Sequence, residues 1–402
     1  MNKLIFDIQR FSYKINGVSS EGRESDMSVN LKLNTGATDD IIFLKWYYSG
    51  ALDAGEGNNS IDIYTAMFDK IYTGSGNDII RTKAMYQCEI VTGAGQDDIY
   101  LDYSGSLNTI HTGLGNDYIV IHATRGNEVY TEEGTDHITL NGTNSNTIYA
   151  GSDNDTIYLY DEYDVNYYWS FQNKIFAGDG DDIIFVKCNL EYSADNSIYG
   201  GSGNDTIKNQ ARRNVLIMGD DEVDVLNAPD DDDVVINTED GTDVTIMAGY
   251  GNDTIDNKGD RVFINTGIGK DSVVNYAKEV TIETGYGKDT IINYSDKVTV
   301  DAGDESDFIY TVGKSSSINA GAGNDIVSID SAVKGLVFNF GNDVEKYIED
   351  YLRGKVEESN PSNPSIEYDI KKAKDVIDEY VDSLENGEKR VSNINTKSID
   401  KL

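Results

Sequence analysis

Basic residues are scarce in this sequence, and proline, cysteine and histidine scarcer still. The 402 residues hold 33 lysines and arginines against 71 aspartates and glutamates, a formal net charge of −38. Phosphate binding needs a basic surface, so nucleic acid is excluded as a partner and an anionic membrane surface is disfavoured. A compact chain with this charge repels itself unless cations neutralise it. The only cysteines, Cys88 and Cys188, lie too far apart in sequence to suggest a disulfide framework, and two cannot make a four-cysteine zinc site. They read as isolated buried or half-buried thiols. His111, His122 and His137 do not have the HExxH spacing of a zinc protease, and no G-x-S-x-G occurs. TVGKSSS at 311–317 has Phe308 where a phosphate loop needs its first glycine. Little therefore supports catalysis. No run reaches the roughly 18 apolar residues of a membrane-spanning helix. The apolar run Leu4 to Phe6 is too short for a cleavable signal peptide, so export would need another route.

Glycine and tyrosine, by contrast, are plentiful, at 39 and 27 residues, and glycine recurs in register. The phrase TGSGNDII (73–80) returns as TGAGQDDI (92–99), TGLGNDYI (112–119), GGSGNDTI (200–207), AGYGNDTI (248–255), TGIGKDSV (266–273), TGYGKDTI (284–291) and AGAGNDIV (320–327). Measured on the aspartate, the first block runs Asp40, Asn59, Asp78, Asp97, Asp117, Asp136, Asp155, Asp182, Asp205, Asp224, Asp243, mostly in steps of 19. The second runs Asp253, Asp271, Asp289, Asp307, Asp325, Asp343 in steps of 18. Apolar residues keep the same register and alternate with polar ones, as in VTIE (280–283) and VTVD (298–301). Such alternation of β-branched residues predicts short strands with one face inward. Each repeat then carries two strands and two turns, and stacked coils pair their strands in parallel around a narrow core.

The phrase fits G-G-x-G-x-D-x-U-x, with U a large apolar residue, and resembles the RTX (hemolysin-type calcium-binding) nonapeptide repeat over about residues 35–343. The resemblance implies an all-β fold, a right-handed parallel β-roll or β-solenoid with coils of about 18–20 residues, binding multiple calcium ions. The residue types suit that chemistry. Glycines at the second and fourth positions let the backbone reach positive φ and aim its carbonyls at one point. Calcium takes six to eight oxygens, more than one turn supplies, so adjacent turns would share an ion. The metal ligands carried over are Gly74, Gly76 and Asp78; Gly93, Gly95 and Asp97; Gly113, Gly115 and Asp117; Gly178, Gly180 and Asp182; and Gly201, Gly203 and Asp205. In the second block they are Gly249, Gly251 and Asp253; Gly267, Gly269 and Asp271; Gly285, Gly287 and Asp289; and Gly321, Gly323 and Asp325. Asp136, Asp155, Asp243 and Asp307 join them from degenerate turns. Other departures are Asn59 in place of aspartate, Glu132, Glu239 and Glu305 in place of glycine, and GDDEVD (219–224) with no inner glycine.

The organisation expected is a cap over 1–34, a block of 19-residue coils over 35–247, an 18-residue block over 248–343, and a tail over 344–402. In the tail Ile366, Ile370, Ala373, Ile377, Tyr380, Val381 and Leu384 make one helical stripe. The step of 10 from Asp243 to Asp253 suggests that the calcium row changes edge there, the acidic turn at 230–233 opening a second row. The opposite edge carries aromatic loops: Trp46, Tyr47, Tyr48, Tyr86, Tyr103, Tyr192, and Tyr160 to Phe171 with Tyr163, Tyr167, Tyr168 and Trp169. Such loops suit a carbohydrate or protein ligand. A second comparison, with the ice-binding calcium solenoid of certain bacterial adhesins, fails at the third turn position. That family needs a flat Thr and Asn array, whereas Ser75, Ala94, Leu114, Ser202, Tyr250, Ile268 and Tyr286 are irregular. The expectation is a secreted, extracellular or cell-surface bacterial protein without enzyme activity, a structural or adhesive module that folds on calcium. RTX-like proteins leave by a type I exporter, for which the tail is a candidate signal. The alternative is a polysaccharide lyase or epimerase on the same scaffold.

Overall fold

In this computed structural model the described residues run from 37 to 329, apart from 38, 45–46, 49, 68, 103–104, 123, 162–169, 189–194 and 220–230. Strand segments at 2–6, 13–15, 18–20, 31–34 and 337–339 are also described. All regular structure among these residues is β, as the alternating pattern predicts. The helical stripe of the tail lies outside them.

The chain divides into two compact units, 1–244 and 245–402. Each coil contributes one strand to a sheet that enters the glycine-rich turn and one to a sheet that leaves it. In the first unit the leaving sheet stacks Ile79–Tyr86, Asp98–Leu101, Tyr118–His122, His137–Asn141, Thr156–Tyr160, Ile183–Lys187, Thr206–Asn209 and Val234–Asn237, all parallel. In that order Ile80, Ile99, Ile119, Ile138, Ile157, Ile184, Ile207 and Val235 sit above one another, each fully buried. The entering sheet stacks a second column, Ile71, Ile90, Ile110, Val129, Ile148, Ile175, Ile198 and Leu216. The second unit repeats the design with Ile255, Val273, Ile291 and Ile309 against Ile246, Ile264, Ile282, Val300 and Ile318.

A buried isoleucine contributes about 1.5–3 kcal/mol, and ordering each residue's backbone costs about 1–2 kcal/mol. A single coil with a few inward apolar side chains therefore cannot hold itself together. Stability comes from neighbours, and whatever ties coil to coil at the turns governs the whole array. At the N-terminal end, Asn2–Phe6 pairs in parallel with Asp40–Leu44, and Leu31–Asn34 with Gly50–Asp53. The expected cap thus supplies a strand to each sheet.

Candidate metal centre

The glycine-rich turns stack as tightly as the strands. Gly285 and Gly287 have φ of 86° and 139°, in the left-handed region that side chains avoid. A Cβ on Gly287 would lie 1.5 Å from the carbonyl oxygen of Gly269 in the preceding coil. The fourth-position glycine is therefore demanded twice, by φ and by the approach of the next backbone. Three degenerate turns keep the path without glycine: Glu132, Asp153 and Glu305 hold φ of 74°, 76° and 83°.

Side chains of the Asn-Asp pair bind the turns together from both sides. The N–H of Asp78 donates to Oδ1 of Asp97 in the next coil at 2.8 Å. The same bond joins Asp97 to Asp117, Asp117 to Asp136, Asp136 to Asp155, Asp155 to Asp182, Asp182 to Asp205 and Asp205 to Asp233, at 2.7 to 2.8 Å. In the second unit it joins Asp253, Asp271, Asp289, Asp307 and Asp325 at 2.8 to 3.0 Å. Where asparagine precedes the aspartate its side chain points the other way: Asn77 Oδ1 accepts from Gln96 N–H at 3.0 Å, and Asn154 Oδ1 from Asp181 N–H at 3.1 Å. The preference for Asn-Asp in the repeat follows from these two opposed bonds.

One oxygen of nine of these carboxylates is left over. Oδ2 of Asp78, Asp97, Asp117, Asp136, Asp155, Asp182, Asp205, Asp289 and Asp307 is buried with no hydrogen-bond partner. The Thr73 hydroxyl, which lowers the Asp78 pKa a little, is bonded to the Thr92 carbonyl of the next coil. Burial drives these carboxyls up from the ordinary 3.8, Asp78 to about 6, Asp97, Asp136, Asp182 and Asp307 to about 7, and Asp155 and Asp205 to about 8. Neighbouring carboxylates add to the rise, Asp136 and Asp182 acting on Asp155. A file of buried anionic oxygens without donors needs protons or cations.

The residues present fit calcium. Among the described residues no three His, Cys, Asp or Glu side chains gather at one point, so a shell cannot be built from side chains alone. It needs the carbonyls of the glycine turns, and a shell of one carboxylate and several carbonyls is hard-cation chemistry. Asp78, Asp97, Asp117, Asp136, Asp155, Asp182, Asp205, Asp253, Asp271, Asp289, Asp307 and Asp325 would each supply a carboxylate, and the flanking glycines their carbonyls.

Asp243 does not join them. It is exposed, with φ of 58°, at the opposite edge, beside Arg213, whose N–H bonds the Thr242 carbonyl. Asp233, expected to open a second row, instead continues the first, because a 28-residue step separates it from Asp205 and it accepts the Asp205 N–H. From Asp233 to Asp253 the step in sequence is 20, not the 10 counted from Asp243. The signal was available: Asp233 directly precedes the inward-facing strand VVIN (234–237), as every ligand aspartate precedes a strand. Asp224 and Asp343 lie outside the described residues.

Sequence reasoning also missed the far edge. There Asn108, Asn127, Asn146, Asn173, Asn196 and Asn214 form an amide ladder, with each backbone N–H and each Nδ2 of the first five donating to the next Oδ1 at 2.9 to 3.2 Å. Each asparagine stands two residues before an inward Ile, Val or Leu, a spacing visible beforehand. Of the aromatic loops, Trp46, Tyr103, Tyr163, Tyr167, Tyr168, Trp169 and Tyr192 lie outside the described residues, as do the Tyr47 and Tyr48 side chains. Other aromatics stack along the sheets: His111, Tyr130, Tyr149, Phe176 and Tyr199 follow one another at ring spacings of 4.5 to 5.0 Å. His137 stacks on Tyr118, and His122 lies 3.3 Å from an Asp102 carboxylate oxygen.

The family comparison agrees with this chemistry. The model of the RTX calcium-binding nonapeptide repeat matches residues 67–83, 130–165, 171–186, 192–208 and 301–329. No curated protein matches. A solved structure with a resemblance is described as a hyperactive, Ca2+-dependent, beta-helical antifreeze protein from an Antarctic bacterium. It is 17% identical, with 79% of this chain and 89% of that chain covered and a TM-score of 0.32.

Proposed function

We propose that this chain, which carries RTX calcium-binding repeats, is a calcium-folded structural or adhesive module of a cell surface or extracellular matrix. The observation that supports the calcium-dependent fold is the file of buried Oδ2 atoms. Without cations, each added coil brings another unneutralised carboxylate into the same narrow edge. With cations, the same oxygens bridge coil to coil, and binding energy becomes folding energy.

Turn sites built on one carboxylate apiece belong to the weak end of the calcium range, about 10⁻⁴ to 10⁻³ M, typical of extracellular modules. Such a chain stays unfolded inside a cell and folds once outside, which suits passage through a narrow exporter. The acidic surface then keeps the folded array soluble. Circular dichroism at about 2 mM calcium and after chelation tests the fold. Strand signal that appears with calcium and vanishes on chelation is expected, and an unchanged spectrum overturns the proposal. Fractionation of producing cells, with a cell-attachment assay with and without calcium, tests the location and the adhesive role.

A further inference from the structure

One turn in the file has already solved its cation problem. Asn59 occupies the aspartate position between Asp40 and Asp78 and is 1% exposed. The file passes through it unbroken: Asp40 N–H donates to its Oδ1 at 3.1 Å, and its own N–H donates to Asp78 Oδ1 at 2.7 Å. Its Nδ2 stands where the neighbouring aspartates place Oδ2. From there it donates to the carbonyl oxygens of Gly57 at 2.9 Å, Thr73 at 3.2 Å and Gly55 at 3.3 Å. These are two carbonyls of its own turn and one of the next coil, the oxygens a shared cation would collect.

The amide's orientation is determined by its partners. Flipping it would set an NH2 group against the Asp40 N–H and turn Oδ1 toward three carbonyl oxygens. In the observed orientation its protons point at the place an ion would occupy, and an amide nitrogen is no calcium ligand. We propose that the turn at 54–59 holds no calcium: the Asn59 amide takes the ion's place, and this coil is tied to the next without metal. Beyond Asn59 the calcium row then runs on from Asp78. The inference rests on the calcium reading of the file.

Native mass spectrometry of the full chain at saturating calcium counts the ions. Asn59→Asp is expected to bind one ion more than the wild type, and Asp78→Asn one fewer. An unchanged count for Asn59→Asp, or for Asp78→Asn, overturns the inference. A calcium-soaked wild-type crystal supplies a readout that needs no variant. Anomalous density between the Asn59 turn and Thr73 would also overturn it, and density that first appears beside Asp78 would support it. A wild-type chain that binds no calcium at all would instead overturn the calcium reading itself.

Discussion

Asp155 and Asp182 are 27 residues apart, yet the N–H of the first lies 2.7 Å from Oδ1 of the second, as in coils 19 residues long. The turn register does not change across the longer step. That bond uses one carboxylate oxygen and strands the other, and most of the protein's expected behaviour follows from the stranded oxygen.

The first expectation concerns pH without metal. In the folded state burial holds Asp78, Asp97, Asp136, Asp155 and Asp205 at about 6 to 8, against the ordinary 3.8. Between those values the folded chain binds more protons than the unfolded one, so stability falls as pH rises. Calcium-depleted protein should lack strand signal at pH 8 and regain part of it at pH 5, as circular dichroism measures. Added calcium should restore the signal at pH 8. A depleted chain whose strand signal holds or falls from pH 8 to pH 5 would contradict the assignment.

Asp155→Asn and Asp155→Ala should differ. The amide keeps an acceptor for the Asp136 N–H, which now bonds Asp155 Oδ1 at 2.7 Å. Alanine strands that buried donor at a further cost of about 1–3 kcal/mol. Each variant should lose calcium, and the alanine variant should melt lower, as denaturant titration at saturating calcium can measure.

Gly287→Ala should be among the most damaging substitutions, because its Cβ would lie 1.5 Å from the Gly269 oxygen at a φ of 139°. A loss of about 3 kcal/mol or more is expected. Glu132→Gly, at a φ of 74°, should be neutral or slightly stabilising, since it removes a strained side-chain position. Equal effects of the two on thermal melting would refute this account of the turns.

The far edge should be indifferent to calcium. Asn146 accepts from Asn127 through both N–H groups and donates to Asn173 at 3.1 Å. Asn146→Asp loses that donor and buries a charge without the glycine-turn carbonyls that would complete a shell. It should destabilise by about 2 kcal/mol or more with no gain in bound calcium. A calcium titration of the variant against wild type decides the matter.

Much of this was legible in the sequence. The 18- and 19-residue steps predicted parallel coils, and the stacked columns of Ile80 to Val235 follow from them directly. The phrase predicted the ion through its resemblance to the RTX calcium-binding repeat, whose glycine and aspartate offsets it shares. Counting alone failed where a loop was inserted. The 28-residue step to Asp233 broke the arithmetic and put Asp243 in its place, and only the strand that follows Asp233 and the Asp205 bond restore the register.

What the stacked structure alone decided is how each polar atom is spent. In the sequence, Asn59 is a defective aspartate, and Asn108 to Asn214 are scattered amides. Their roles exist only when neighbouring coils stack, because Asn59 reaches the Thr73 carbonyl and Asn108 reaches Asn127 in the next coil. The Oδ2 atoms are alike in this respect. Periodicity says that the aspartates align, but burial without a donor is a property of the closed stack, and that burial is what calls for calcium.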